Sequence, residues 1–307
     1  MRGPLFVAIA VTLLTWSSAY AAIRHAVHGF PPGSLALIRF ATASAVLAGY
    51  AAAARRGFPR VERRDLVRFA LLGIIGVAIY HVALNAGERT VGAGAASLLV
   101  NTAPLWTALL GSLFLGERLG VSGWAGLLLA FSGAAMVSIG SAGGLRLEGD
   151  VGFVLVAALA TAIYFVMQKP LLRRYGAIES TCLVIWLGTI PLFVFAPECL
   201  RAIRTATPTE IGAALYLGIA PGAIGYITWT YLLARMPASR AASLLYLVPP
   251  LAFLIGWIVL GETPGWAILA GGVPILVGVA LVNAGRQAAE PRAEGSTASR
   301  PEAAPDR

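Results

Sequence analysis

Apolar runs of about 20 residues decide what this chain can fold into, because a helix of that length crosses the hydrocarbon core of a bilayer. Ten such runs follow one another, at about 4–23, 34–54, 66–86, 91–115, 119–140, 151–169, 180–197, 211–234, 239–260 and 264–285. The seventh is the weakest, being short and containing Pro191. Charged residues form only 12% of the chain and hydrophobic ones 58%, roughly half the charged share of a soluble domain. Residues 286–307 are mostly Ala, Pro, Glu and Arg in balanced charge and read as a disordered tail. The expected fold class is therefore an all-α membrane protein with ten transmembrane helices.

The net charge of +9 would suit nucleic acid, but its distribution argues against that partner. The arginines occupy short loops between apolar runs, with no basic helix face and no interleaved aromatic and basic residues. Loop charges of this kind set membrane orientation. With the N-terminus placed inside, 17 Lys and Arg residues fall on the inner side, 5 on the outer side, and Arg39 lies within a span. Both termini are then cytoplasmic. Cys182 and Cys199 are 17 residues apart in one run, roughly 25 Å on a helix, which is beyond the reach of a disulfide.

The stretch LLTWSSAYAAIRHA, residues 13–26, admits two readings. Ala19-Tyr20-Ala21 looks like a signal-peptidase site behind an apolar run, whereas Trp16, Ser17 and Tyr20 suit the first helix of a mature membrane protein. An internal repeat separates the two. GAASLLVNTAPLWTALLGSLFLGE, residues 94–117, matches RAASLLYLVPPLAFLIGWIVLGE, residues 240–262, with one gap. LLGIIGVAIYH, residues 71–81, matches YLGIAPGAIGY, residues 216–226, at the same offset of about 145. Carried back, that offset lays Tyr20 over Tyr164, in mid-chain, where no signal peptide operates. The first helix is thus expected to stay in the protein. Residues 1–145 and 146–285 become two five-helix repeats and, five being odd, they cross the membrane in opposite senses. Inverted repeats are the architecture of secondary transporters working by alternating access.

The W-S-x-x-Y of the first span, the R-F of the second, and the S-L-L-x-x-x-x-P-x-x-x-x-x-x-G-x-x-x-L-G-E stretch resemble the EamA-type drug/metabolite transporter family. The resemblance runs over about residues 4–285. It implies a carrier of the bacterial inner membrane, usually an exporter of amino acids or related small metabolites, without fixing the cargo. The multidrug or cation exporter and the sugar-phosphate-type anion exchanger remain as alternatives within transport. Against the first, the acidic residues fall in loops, at span ends or in the tail, and intramembrane acids are the usual proton relays. Against the second, only Arg39 supplies a cation within a span.

Small residues recur every fourth position in two spans: Ala41, Ala45, Gly49 and Ala53 in the second, and Ser122, Gly126, Ala130, Ala134 and Ser138 in the fifth. Both stripes read as helix-packing faces. Arg39 either snorkels to the outer interface or faces a central cavity and holds a carboxylate; the sequence leaves both open. His81 reads as a neutral, hydrogen-bonded imidazole, with Asn85 one turn on along the same face. Trp16, Tyr80, Tyr164, Tyr226 and Trp229 lie deeper than an interfacial belt. Together with Ser17, Tyr20 and Asn101 they complete the expected substrate-binding set, aromatic with few polar groups. Pro104 and Pro249 fall mid-span, where proline bends a helix, and Glu117 and Glu262 end spans four and nine; these four are assigned gating or structural roles.

Three histidines and no buried acid give no convergent catalytic cluster, so an enzyme is not expected, nor a cofactor or metal. The expected partners are a small-molecule substrate and the lipid bilayer, in a monomer or homodimer. The orientation is testable in a chain whose Cys182 and Cys199 are replaced by Ser. Ser296→Cys is expected to react with a membrane-impermeant maleimide only once the membrane is opened, and Arg146→Cys in intact cells.

Overall fold

A backbone in hydrocarbon has to satisfy its own N–H and C=O groups, which only helices and closed barrels achieve. In the computed structural model, which describes residues 2–53, 61–87, 99–141, 151–260 and 266–284, the regular structure is helical and the described residues contain no strand. The helices are α1 Arg2–Gly29, α2 Pro32–Ala53, α3 Arg63–Gly87, α4 Ala103–Leu115, α5 Val121–Ser141, α6 Val151–Leu171, α7 Ala177–Thr205, α8 Pro208–Arg235, α9 over 238–260, and α10 Trp266–Ala284. Among the described residues six of them (α1, α2, α3, α6, α7 and α8) are long and apolar enough to cross a membrane. Helices α4, α5 and α10 carry shorter apolar stretches. The chain is a multi-pass membrane protein. Its tail, 286–307, lies outside the described residues.

Helix α7, the weakest run in the sequence, is the longest of the six at 29 residues. Its prolines do not break it. Pro191 stands at the start of a 3-10 stretch, Ile190–Phe195, and Pro197 at the start of the α-helical turns that follow. Each falls where the helix changes its hydrogen-bond pattern, which accommodates the N–H that proline lacks. The last turns carry Glu198, Arg201 and Arg204, and that polarity hid their helicity from a reading by hydropathy.

Two helices widen where their sequences correspond. Helix α3 is π-helical over Ile74–Ile79 and α8 over Gly218–Gly225, about one repeat offset apart. Glycine then brings backbones together. A Cβ on Gly73 in α3 would lie 2.5 Å from the Gly188 nitrogen of α7, and one on Gly218 in α8 would lie 2.6 Å from the Arg39 carbonyl of α2. The core between these helices holds Phe40, Phe69, Leu72, Ile185 and Trp229, all fully buried.

Helices α5 and α10 form a second close pair, running antiparallel. A Cβ on Gly126 would lie 2.7 Å from the Gly278 carbonyl, and one on Gly133 would lie 2.5 Å from the Gly271 carbonyl. The middle of the small stripe of α5, Gly126, Ala130 and Ala134, is thus a packing face, with both alanines fully buried, while Ser122 is exposed and the side chain of Ser138 lies outside the described residues. The stripe of α2 is not a packing face. Ala45, Gly49 and Ala53 are exposed, and α2 packs instead through Phe40, Ala43 and Leu47. Small residues permit close approach without demanding it, since a small apolar face is equally at home against lipid.

The two stripes predict opposite outcomes for one substitution. Gly278→Ala drives a methyl to 2.5 Å from the Ala130 nitrogen and is expected to destabilise by about 1–3 kcal/mol. Gly49→Ala meets nothing within 4 Å and is expected to leave the thermal midpoint in detergent unchanged or slightly raised.

Candidate functional site

A cavity of about 120 Å³ lies between α1, α2, α3, α4, α6, α8 and α9. Trp16, Arg39, Tyr80, His81, Asn101, Pro104, Tyr164 and Tyr226 line it, with Ala19, Ile23, Leu84, Val100, Thr161, Phe165, Leu245 and Val248 among its further walls. The π-helical stretches bring its polar groups into register. Tyr226 Oη donates to the Gly76 carbonyl at 3.3 Å, and Trp16 Nε1 donates to the Pro221 carbonyl at 3.3 Å. Gly76 and Pro221 correspond across the repeat offset, so each widened helix offers a carbonyl to an aromatic side chain from the other half. Glycine makes room for both rings. A Cβ on Gly76 would touch the Tyr164 ring at 2.6 Å, and one on Gly225 would touch Trp16 Nε1 at 2.6 Å.

Arg39 is 7% exposed and lines the cavity, so the snorkelling alternative does not describe it. One of its guanidinium nitrogens stands 3.5 Å from His81 Nδ1. An arginine only donates, so Nδ1 accepts and the neutral ring carries its proton on Nε2. That nitrogen faces Tyr226 Oη at 3.2 Å and donates to it, leaving the tyrosine proton for Gly76. The imidazole is wedged between the Phe40 and Tyr80 rings, at 4.6 and 4.5 Å between centroids. Arg39, His81 and Tyr226 therefore form one directed chain of donors from α2 through α3 to α8.

Several expected residues sit outside the cavity wall. Asn85 turns away and donates to the Pro32 carbonyl at 2.9 Å. Ser17 donates to the Val248 carbonyl at 3.3 Å, tying α1 to α9. Trp229 lies behind the wall, with its centroid 5.3 Å from Trp16 and 4.3 Å from Phe165. The side chains of Tyr20 and Pro249, and all of Glu262, lie outside the described residues. Pro104, expected in mid-span, stands at the start of α4 just after a turn at Asn101-Thr102, with helix on both sides of that turn, a position that suits its missing N–H. Asn101 is buried at that turn and faces the cavity.

Thr161 and Phe165 were not among the expected residues. Thr161 had a signal in the sequence, as the repeat counterpart of Ser17. Phe165 had none, since its counterpart is Ala21.

Glu117 works away from the cavity. Gly116 adopts a left-handed conformation, φ 65°, which turns the chain at the end of α4 and aims the next carboxylate at the start of α9. Its oxygens accept from the Ala238 N–H at 2.6 Å, the Ser239 N–H at 3.0 Å and Ser239 Oγ at 2.7 Å. Leu115-Gly116-Glu117 is thus a turn followed by a cap supplied to another helix.

The profile of the EamA-like transporter family matches residues 2–139 and again 150–284. The chain belongs to this family. Among its relatives, a "Probable terminal-alkyne amino-acid exporter" of Streptantibioticus cattleyicolor is 39% identical, over 95% of this chain and 97% of that one. The "Uncharacterized transporter YdfC" of Bacillus subtilis is 36% identical over 86% of each chain. A "Probable amino-acid metabolite efflux pump" of Escherichia coli is 27% identical, over 88% of this chain and 91% of that one. A solved crystal structure, 22% identical, superposes with a TM-score of 0.76 over 93% of this chain and 99% of its own, a likeness of fold. Membership makes this EamA-like protein a small-molecule transporter.

Removing the cap has a defined cost. Glu117→Ala strands two N–H groups at the start of α9 and is expected to destabilise by about 1–3 kcal/mol. Glu117→Gln, which keeps an acceptor oxygen, is expected to lose less; equal losses would contradict the capping role.

Proposed function

We propose that this EamA-like protein exports a small amino acid or amino-acid derivative across the bacterial inner membrane by alternating access. Ten spans in two inverted repeats, 1–145 and 146–285, would carry the movement, with both termini cytoplasmic. Support for the inversion comes from pairs about one repeat offset apart that touch across the middle. Ser44 and Thr189 hydroxyls lie 3.0 Å apart, and His81 meets Tyr226. The antiparallel contacts Gly126–Gly278 and Gly133–Gly271 exchange with one another under the same offset. The twofold match of the family profile supports the duplication.

The observation that carries the choice of cargo is Arg39, a buried cation that faces a cavity walled largely by aromatic side chains. In low dielectric a bidentate carboxylate is its natural ligand. The faces of Trp16, Tyr80 and Tyr164 suit an ammonium group, and Leu84, Val100 and Ile23 suit a short apolar side chain. A volume of about 120 Å³ falls below the roughly 300–1,000 Å³ of drug-sized sites, which favours small cargo over multidrug binding. The names of two relatives, an amino-acid exporter and an amino-acid metabolite efflux pump, point the same way.

In the proposed orientation the cavity lies in the outward halves of α1, α3 and α4. Toward the cytoplasm it is closed by Trp16, Trp229 and Phe165, with the Gln168–Thr230 hydrogen bond, 3.2 Å, below them. This conformation then presents the cavity to the outside.

Counterflow in proteoliposomes loaded with a panel of amino acids tests the reading. Exchange of a small apolar amino acid is expected. Arg39→Ala should weaken it by about ten- to a hundredfold, with Arg39→Lys in between. Exchange confined to cations or phosphorylated compounds would overturn it.

A further inference from the structure

A second hollow, about 850 Å³, opens where α4, α6 and α8 end and α9 begins, and it shares no lining residue with the cavity. Five cationic side chains line it, Arg118, Lys169, Arg173, Arg235 and Arg240, with one carboxylate, Glu117. They come from separate parts of the chain, so their convergence is a product of the fold. One negative charge among five positive ones leaves the lining cationic, and the carboxylate is turned to the start of α9, where it accepts from Ala238 and Ser239. Lys169, the single lysine of the chain, is fixed in the wall, donating to the Leu233 and Met236 carbonyls at the end of α8. Arg235 is held over the Tyr231 ring, 3.5 Å from its centroid, and donates to the Tyr231 carbonyl. Arg118 and Arg173 are exposed and make no ion pair among the described residues.

A neighbouring basic cluster is built differently. Arg64, Arg68 and Arg174 meet Glu62 and Asp65 at 2.7–3.5 Å, so the protein supplies those cations with its own carboxylates. Around the hollow, Arg118 and Arg173 have no such carboxylate among the described residues. Nor does the repeat require cations there: the corresponding positions of the other half are His25, Gly29, Thr90, Gly94 and Thr263. Like charges gathered around a concave, partly desolvated surface repel one another and draw in an anion. Guanidinium forks match the planar or tetrahedral oxygens of such a ligand.

We propose that this hollow is a binding site for an anionic phosphate group, with Arg118 and Arg173 as its principal ligands and Arg235 closing one side. The phosphate is either the headgroup of an anionic phospholipid or a soluble phosphate. The site stands independently of the cargo cavity and of what that cavity carries.

The test uses the full-length purified protein in a neutral detergent, with thermal unfolding as the readout. One titration adds inorganic phosphate at constant ionic strength against chloride. The other adds phosphatidylglycerol against phosphatidylcholine. The double variant Arg118→Gln/Arg173→Gln is compared with Arg63→Gln/Arg64→Gln, which removes equal charge away from the hollow. The midpoint of the unmodified protein is expected to rise with the anionic ligand. Half-saturation is expected to move at least about tenfold higher in the first variant and to stay put in the second. A response to phosphatidylglycerol alone assigns the phosphate to a lipid; a response to both ligands assigns it to the phosphate group whatever bears it. No response, or the same response in both variants, overturns the site and leaves the cations to set orientation alone.

Discussion

Lipid offers no hydrogen bonds, so each place where a helix departs from its regular ladder has to be answered by a group from elsewhere in the protein. The wide turns of α3 and α8 are two such places, and the answers are crossed. Tyr226 from α8 reaches the Gly76 carbonyl of α3, and Trp16 from α1 reaches the Pro221 carbonyl of α8. These bonds seat the aromatic walls of the cavity and draw His81 and Arg39 into line behind Tyr226. Local irregularity, the core and the candidate site are thus one arrangement.

Glycine performs the complementary task. Apolar attraction between helices gives little net drive in a bilayer, so close van der Waals contact has to supply it. Gly73, Gly218, Gly126 and Gly133 each set a backbone against a neighbour at distances no side chain would allow. The two halves meet through such contacts and through hydroxyl pairs such as Ser44 with Thr189. Interfaces of this kind let helices rock without exposing large polar surfaces, which the proposed alternating access requires.

Much of this was legible in the sequence, for physical reasons. Run length reports on lipid directly, and the recurrence of AASLL and LGE falls within the two stretches that the family profile matches. Arg39, Tyr164 and Tyr226 were recognisable because a cation or a tyrosine deep in a span needs a reason to be there. What failed was whatever depends on direction. A stripe of small residues does not say which neighbour it faces, so α2 was misread while α5 was not. Asn85 and Ser17 share helices with cavity residues, yet their side chains satisfy backbone carbonyls. Pro191 made the seventh run look weak because hydropathy does not show where a helix changes its hydrogen-bond pattern. Phe165 fills a place whose counterpart is Ala21, so no symmetry argument reaches it.

In the proposed cycle two repeats of opposite sense close one end of the path as they open the other. Leu84, in the cavity wall, and Thr230, buried beneath the aromatic closure, stand at neighbouring levels of the two repeats. Cysteine reactivity at these positions, in a background lacking Cys182 and Cys199, reads the two ends directly. In the conformation described, Leu84→Cys is expected to react from outside while Thr230→Cys is protected. Under a cargo gradient the two rates are expected to move in opposite directions, with Thr230→Cys becoming reactive from the cytoplasmic side. Rates that rise and fall together would mean that the protein opens as a pore and not as two exchanging halves.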